Sequence, residues 1–335
     1  MKKRLLNIVV SLIVAALFIW LAVKNVDLTE VKQELQTVTF YWLPFFICAM
    51  IFSHYLRAER WRLLLKSEDQ HVPRSTLFAG VMTGYIFNIL VPRLGEISRP
   101  VYVAKKQNIS SSNLLGTIVV ERLFDLATMM VLIFLAAFFL LQNSEVIERV
   151  FGIEGWPWYM YLIIPLIFLV IIAGIWLFYK ILHVLDKRDS IRHPFVLKSI
   201  QVLKSFGEGM ISIKYVKNWP LFLLLTAGIW TGYIIMTYLP FYMLDLQTEF
   251  MFTLKEAIVL TMVSSVGVSI PTPGGIGSYH LLIQQSMWML YDVPLVKGLT
   301  YATVAHATTI LLVFIIGPLS LWWDKVHVLR SGDAR

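Results

Sequence analysis

The sequence is poor in the groups that soluble proteins rely on. Charged residues make up 15% of its 335 positions, while 58% are hydrophobic and the mean hydropathy is +0.71. That leaves too little polar surface to clothe a water-soluble globule of this size. There is one cysteine, Cys48, so no intrachain disulfide can form, and no Cys/His cluster takes metal-ligand spacing. Disulfide scaffolds, structural zinc and thiolate-held haem are excluded, and no cofactor is expected. A Gly-x4-Gly-Lys-Ser/Thr phosphate loop is also absent, which argues against ATP drive by this chain. Acidic residues are the scarcer charge, 21 against 29 Lys and Arg. In a soluble domain the net +8 would suggest nucleic acid. Here no nucleic-acid partner is expected, because the excess fits basic loops on one side of a membrane.

What the chain does have is long apolar runs, at 5–23, 41–56, 126–141, 156–179, 219–244 and 298–323. Each reaches across a bilayer at about 1.5 Å per residue, the second and third by drawing in flanking polar residues. The first run follows Met1-Lys2-Lys3-Arg4 and has no small-residue cleavage motif before Lys24, so it reads as a retained span rather than a signal peptide. Two further stretches, 76–92 (within a broken segment, 76–110) and 257–291, are apolar but interrupted by Gly, Pro and polar groups. The expected fold class is an all-α polytopic membrane protein of about eight membrane segments, six full spans plus two broken hairpins.

Charge orients the spans. Segments 1–4, 57–74, 93–106, 180–217 and 324–335 hold 23 of the 29 Lys and Arg; the alternate loops hold only 5, beside 10 acidic residues. This asymmetry places both termini in the cytoplasm, in the cell membrane. Basic clusters flank 76–92 on both sides, so that hairpin enters and returns from the cytoplasm, whereas 257–291 has acidic flanks and enters from outside. Eight full crossings, with 93–106 outside, is the alternative. Paired interruptions of opposite sense point to an inverted-repeat transporter: one membrane domain over 1–335, with halves at 1–141 and 156–323.

The interruptions are dense. Pro271 and Pro273 forbid helix continuation, and Gly274 and Gly275 permit a sharp reversal. A helix restarting near Ile276 would present free N–H groups suited to an anion. The two hairpins are expected to meet and shelter a wet, charge-lined chamber. Arg93, Glu96 and Arg99 would share one face if helical, and their guanidinium forks could clamp a phosphate. Glu121 and Asp125 are four apart and share a face, and Arg122 can pair with Asp125. Run 126–141 is too short to cross alone, so its span draws these charges in or starts just after them; drawn in, they would be costly and functional. Arg57, Arg60 and Arg62 around Trp61 read as an interfacial anchor, and His306 as a hydrogen-bonded packing residue. Segment 180–217 reads as a surface-lying basic stretch attracted to anionic lipid. Gly80-x3-Gly84 and Gly228-x3-Gly232 are close-packing signals.

The motifs Asn88-x3-Pro92-Arg93-x-Gly95-Glu96-x2-Arg99, Glu121-Arg122-x2-Asp125 and Pro271-x-Pro273-Gly274-Gly275-x-Gly277 occur in that order. In them the chain resembles the lysylphosphatidylglycerol synthase transmembrane-region family, the flippase-like domain proteins, over nearly its whole length. The resemblance implies a lipid translocase of two inverted halves. The best-known relative is the membrane part of the multiple peptide resistance factor, associated with moving aminoacylated phosphatidylglycerol between leaflets. Many members carry an acidic residue just after the Pro-Gly-Gly turn, where this chain has Tyr279 and His280. The chain ends twelve residues after Trp323, so no aminoacyl-transferase domain is expected.

The expected function is flippase-like movement of an anionic or aminoacylated phospholipid, or of a polyprenyl or glycolipid. Its headgroup would be held by Arg93, Arg99, Arg122 and the turn through Gly275, Gly277 and His280. Glu96, Glu121 and Asp125 would balance charge or bind a cationic moiety or proton. Two alternatives come from other classes. An intramembrane enzyme could use Ser278 with His280 or His306, although Ser278 and His280 face apart on one element. A scaffold could dock a lipid-synthesis enzyme on 180–217.

Overall fold

The computed structural model describes residues 2–65, 71–141 and 211–330, together with isolated helical positions between 166 and 177. Apart from those positions, the expected span at 156–179 lies outside the described residues, as does most of 180–217. Eleven α-helices and no strand occur among the described residues. They are α1 (Lys2–Val23), α2 (Leu28–Gln36), α3 (Leu43–Leu63), α4 (Arg74–Leu90), α5 (Gly95–Gln107), α6 (Ser111–Leu141), α7 (Trp219–Met243), α8 (Leu246–Glu249), α9 (Leu254–Ser269), α10 (Ser278–Tyr291) and α11 (Leu295–Arg330).

Two of these helices, α7 and α11, are long and apolar enough to cross a membrane. The count becomes three if α1 and α2, bent by 84° at their junction, form one span. α3 has the length, but Arg57, Glu59, Arg60 and Arg62 crowd its final turns. Local chemistry sets the boundaries. Asn218 caps α7 by accepting from the Leu221 N–H, with Pro220 in the first turn. Thr253 and Glu256 form a reciprocal capping box on α9. α5 ends on Asn108 in the left-handed region.

Three of the six buried apolar clusters among the described residues join most of the helices. Phe46, Met50, Met82, Leu239, Met243 and Leu312 join α3, α4, α7 and α11. Ala58, Trp61, Leu77, Val103 and Ile118 join α3 through α6. Phe241, Leu260, Ile283, Met287 and Tyr301 join α7, α9, α10 and α11. Large apolar side chains also face outward: Leu224, Leu311, Ile315, Leu319, Trp322 and Trp323 are exposed. So much apolar surface on the outside suits a lipid solvent.

Both interrupted stretches are helical hairpins, and they enter from opposite ends of the bundle. Asp324 near the end of α11 is bonded to Thr76 at the start of α4 and to Lys106 at the end of α5, which places the open end of the α4–α5 hairpin there. The open end of the α9–α10 hairpin lies at the other end. There Phe252, just before α9, packs on Tyr291 of α10 with ring centroids 5.1 Å apart, and Lys297 pairs with Glu249 and Glu34. The tip of the first hairpin is the turn at 91–94. That of the second is the break at 270–277, where Gly274, Gly275 and Gly277 adopt φ of 59°, 79° and 86°. L side chains resist these values, so the prolines stop the helix and the glycines turn it.

Both small-residue motifs mark close helix crossings, Gly80 and Gly84 against α5 and Gly228 and Gly232 against α3. At Gly232 the fit leaves no room: a Cβ there would lie 1.8 Å from the Ser53 hydroxyl. Gly232→Ala is therefore expected to cost about 1–3 kcal/mol through overpacking, read as a fall in unfolding temperature in detergent. Ser53→Ala in the same chain should recover part of the loss; an unchanged midpoint in the single variant would show that the helices part freely.

Candidate functional site

The first hairpin, α3 and α6 together bury a charged cluster. α3 supplies Arg57 and Arg60, 4% and 0% exposed; α5 supplies Arg99, 4% exposed; α6 supplies Glu121 and Asp125, 0% and 8% exposed. The spacing of the two carboxylates over one helical turn matches that of the two α3 arginines. Arg57 donates to Glu121 Oε1 at 2.6 Å and Asp125 Oδ2 at 3.0 Å, and its Nε donates to the Tyr233 hydroxyl at 3.1 Å. Arg60 donates to Asp125 Oδ1 at 2.6 Å and to Thr226 Oγ1 at 3.2 Å. Arg99 donates to Glu121 Oε1 at 3.0 Å and lies over the Trp61 ring, 4.1 Å from its centroid. That ring is held in turn by its indole N–H on Thr117.

Three guanidiniums thus face two carboxylates, leaving one positive charge in excess. The hydrogen bonding is also incomplete. Arg99 Nε and Nη2, Glu121 Oε2, Arg60 Nε and both nitrogens of His54 have no partner among the described residues. Groups buried in this way normally find one. His54 stacks on Tyr85 with centroids 4.2 Å apart, and the Tyr85 hydroxyl meets that of Tyr233 at 3.1 Å.

The cluster borders a narrow, half-open cleft lined by Arg57, Tyr85, Asn88, Glu96, Arg99 and Arg122 among others. Asn88 closes its inner wall by accepting the Gly95 N–H at 2.7 Å, which ties the two arms of the hairpin together at the start of α5. Glu96 and Arg122 stand at its mouth as a loose ion pair, 3.6 Å apart and each nearly half exposed. Arg122 also lies 3.8 Å from Asp125. Among the described residues no group of three or more His, Cys, Asp or Glu could hold a metal ion.

Of the residues singled out in the sequence, the structure thus gathers Asn88, Glu96, Arg99, Glu121, Arg122 and Asp125. Arg93 stands apart. It lies in the tip turn with φ of 63°, exposed and outside α5, so the helical register that would align it with Glu96 and Arg99 begins only after it. Arg57 and Arg60 correct the reading of that basic run as an interfacial anchor: they are buried in the cluster, while Arg62 pairs with Glu59. The available signal was the spacing of Ser53, His54, Arg57 and Arg60, a polar face on an otherwise apolar helix, complementary in charge to Glu121 and Asp125.

The second tip is placed differently. Pro271, Pro273, Gly274, Gly275 and Gly277 form the break, and a Cβ on Gly274 would lie 3.3 Å from the Ile89 backbone. The tips therefore meet, but through apolar contact rather than around the expected charged chamber; the charges lie to one side, between α3, α5 and α6. α1 crosses over Gly277, where a Cβ would lie 2.7 Å from the Ala15 carbonyl. Beneath the break, His306 Nε2 bonds the Gly274 carbonyl at 2.9 Å, as a packing histidine should, and the His280 ring lies beside it, tilted, with centroids 5.1 Å apart. The Ser278 hydroxyl bonds Thr272 and the Gly267 carbonyl, which closes the break from within.

A family model described as the lysylphosphatidylglycerol synthase TM region matches residues 8–317. Among curated proteins, the chain is similar to the UPF0104 membrane protein MJ1595 of Methanocaldococcus jannaschii, 25% identical over 98% of this chain and 97% of that one. It is also similar to MJ1078 of the same organism, 29% identical over 57% of this chain and 74% of the other. A third relative is PH1989 of Pyrococcus horikoshii, 22% identical over 88% of each. No solved structure matches.

Proposed function

The chain belongs to the lysylphosphatidylglycerol synthase transmembrane-region family, and from that premise we propose that it is a lipid translocase that holds an anionic headgroup in the cleft beside Arg99. The observation that carries this reading is the cluster itself. A buried guanidinium with two free donors, in a site one positive charge in excess, lines a cleft between helices. Ionisable groups at membrane depth are costly to keep and mark substrate paths, and incomplete pairing leaves room for a ligand to complete it.

In this reading the basic end of the bundle faces the cytoplasm of the cell membrane, with both termini there. The α4–α5 hairpin dips in from that side and the α9–α10 hairpin from the other, making eight membrane segments in two inverted halves. A headgroup enters past Glu96 and Arg122 while its acyl chains stay in lipid. The proposed role is transport, and the Ser278 hydroxyl is engaged by Thr272 and by the Gly267 and Gly275 carbonyls.

The test is exchange of a fluorescent phospholipid between leaflets of proteoliposomes. Arg99→Gln should slow exchange about ten- to a hundredfold, the worth of one charge-assisted hydrogen-bond set, while the protein still elutes as a folded species. Exchange at the unmodified rate would remove the cleft from the transport path.

A further inference from the structure

We propose, resting on the reading above, that the cleft selects headgroups by charge. It takes a phosphate ester with one negative charge and an uncharged, hydroxyl-bearing headgroup, and it rejects cationic aminoacyl headgroups.

The argument begins with which atoms remain free. Both oxygens of Asp125 are taken, one by Arg57 and one by Arg60. Oε1 of Glu121 lies within 2.6 to 3.7 Å of Arg57, Arg99 and Arg60. Neither carboxylate is therefore free to receive a cation. Only Glu121 Oε2 remains, and it belongs to a group already surrounded by three guanidiniums. An ammonium brought there would meet their repulsion in a site with little water to screen it, whereas a neutral hydroxyl donates to the same oxygen without that cost.

The free donors are as selective. Nε and Nη2 of Arg99 present their hydrogens along one edge of the guanidinium, the geometry that grips two oxygens of a phosphate side by side. The remaining nitrogen is spent on Glu121, and Trp61 fixes the plane of the fork. Three positive charges against two negative ones are neutralised by one monoanion. The rim pair of Glu96 and Arg122 adds no net charge. An amine could meet Glu96 only at the mouth, where that carboxylate is already beside Arg122.

The experiment uses the purified full chain in phosphatidylcholine vesicles carrying trace lipids labelled on the acyl chain, so that headgroups stay intact. Phosphatidylglycerol is compared with lysylphosphatidylglycerol, both for leaflet exchange and, by native mass spectrometry in competition, for retention on the protein. Phosphatidylglycerol is expected to exchange at least about tenfold faster and to displace the lysyl lipid, a difference worth about 1.4 kcal/mol. Arg99→Gln should erase the preference. Arg99→Lys, which keeps the charge without the fork, should retain the order of preference with weaker retention of both lipids.

Exchange of both lipids at equal rates, or a faster lysyl lipid, would overturn charge selection while leaving translocation standing. If neither lipid exchanges above protein-free vesicles, translocation fails. The retention assay then still decides selection: preferential phosphatidylglycerol supports it, and equal or reversed retention overturns it. Soluble glycerophosphoglycerol, the deacylated headgroup, should not displace the lipid at comparable concentration; equal competition would overturn the assignment to a lipid.

Discussion

Glu121→Leu is expected to destabilise the protein by about 3–5 kcal/mol, the usual result of removing one partner from a buried ion network. The carboxylate is contacted by Arg57, Arg60 and Arg99, so its loss leaves three buried guanidiniums against Asp125 alone. The double variant Arg57→Leu/Glu121→Leu returns the cluster to an excess of one positive charge and should recover part of the loss. A double-mutant cycle read from unfolding in mixed detergent measures the coupling. A single variant costing under about 1 kcal/mol would mean that the cluster is solvated like an exposed salt bridge.

The second large effect is expected at Asp324. Its carboxylate is fully buried and accepts from the hydroxyls of Ser75 and Thr76 at 3.0 and 2.7 Å and of Tyr102 at 2.6 Å, and it pairs with Lys106. Asp324→Leu removes every one of these acceptors and should cost about 3 kcal/mol, since several hydroxyls lose a charged acceptor at once. Asp324→Asn keeps the shape and part of the bonding and should cost less. Hydrogen exchange would show the loss locally, as faster exchange at the start of α4 and the end of α5. Exchange that stays unchanged there would mean that the aspartate clamps nothing.

The sequence announces some of these features and conceals others for physical reasons. Prolines and glycines are local signals, so the break at 270–277 could be placed from residue chemistry alone. Apolar runs likewise located α1 and α7 to within a few residues, whereas α3 continues past 56 to Leu63, α6 starts at Ser111 well before the run at 126, and α11 continues past Trp323 to Arg330. Glu121 and Asp125 stood out because charges at the head of an apolar run are rare. Arg57 and Arg60 did not, because basic residues near a helix end serve equally well as headgroup anchors. Only long-range packing of α3 decides between the two roles, and its close crossing with α7 runs through Gly228 and Gly232, some 170 residues away in sequence. Asp324 was hidden in the same way: its partners lie 218 to 249 residues earlier in the chain. Arg93 shows the opposite error, since a helical spacing was read through a residue that the tip turn had removed from the helix.

α11 gives the two hairpins a common mechanical fate. At 36 residues it is about 54 Å long, a continuous rod with Lys297 fastened at one end and Asp324 at the other. His306 reaches one hairpin tip from its middle, and Gly317 abuts Ile86 of the other hairpin. Because one helix touches both hairpins, a shift of α11 would be expected to carry the two of them together.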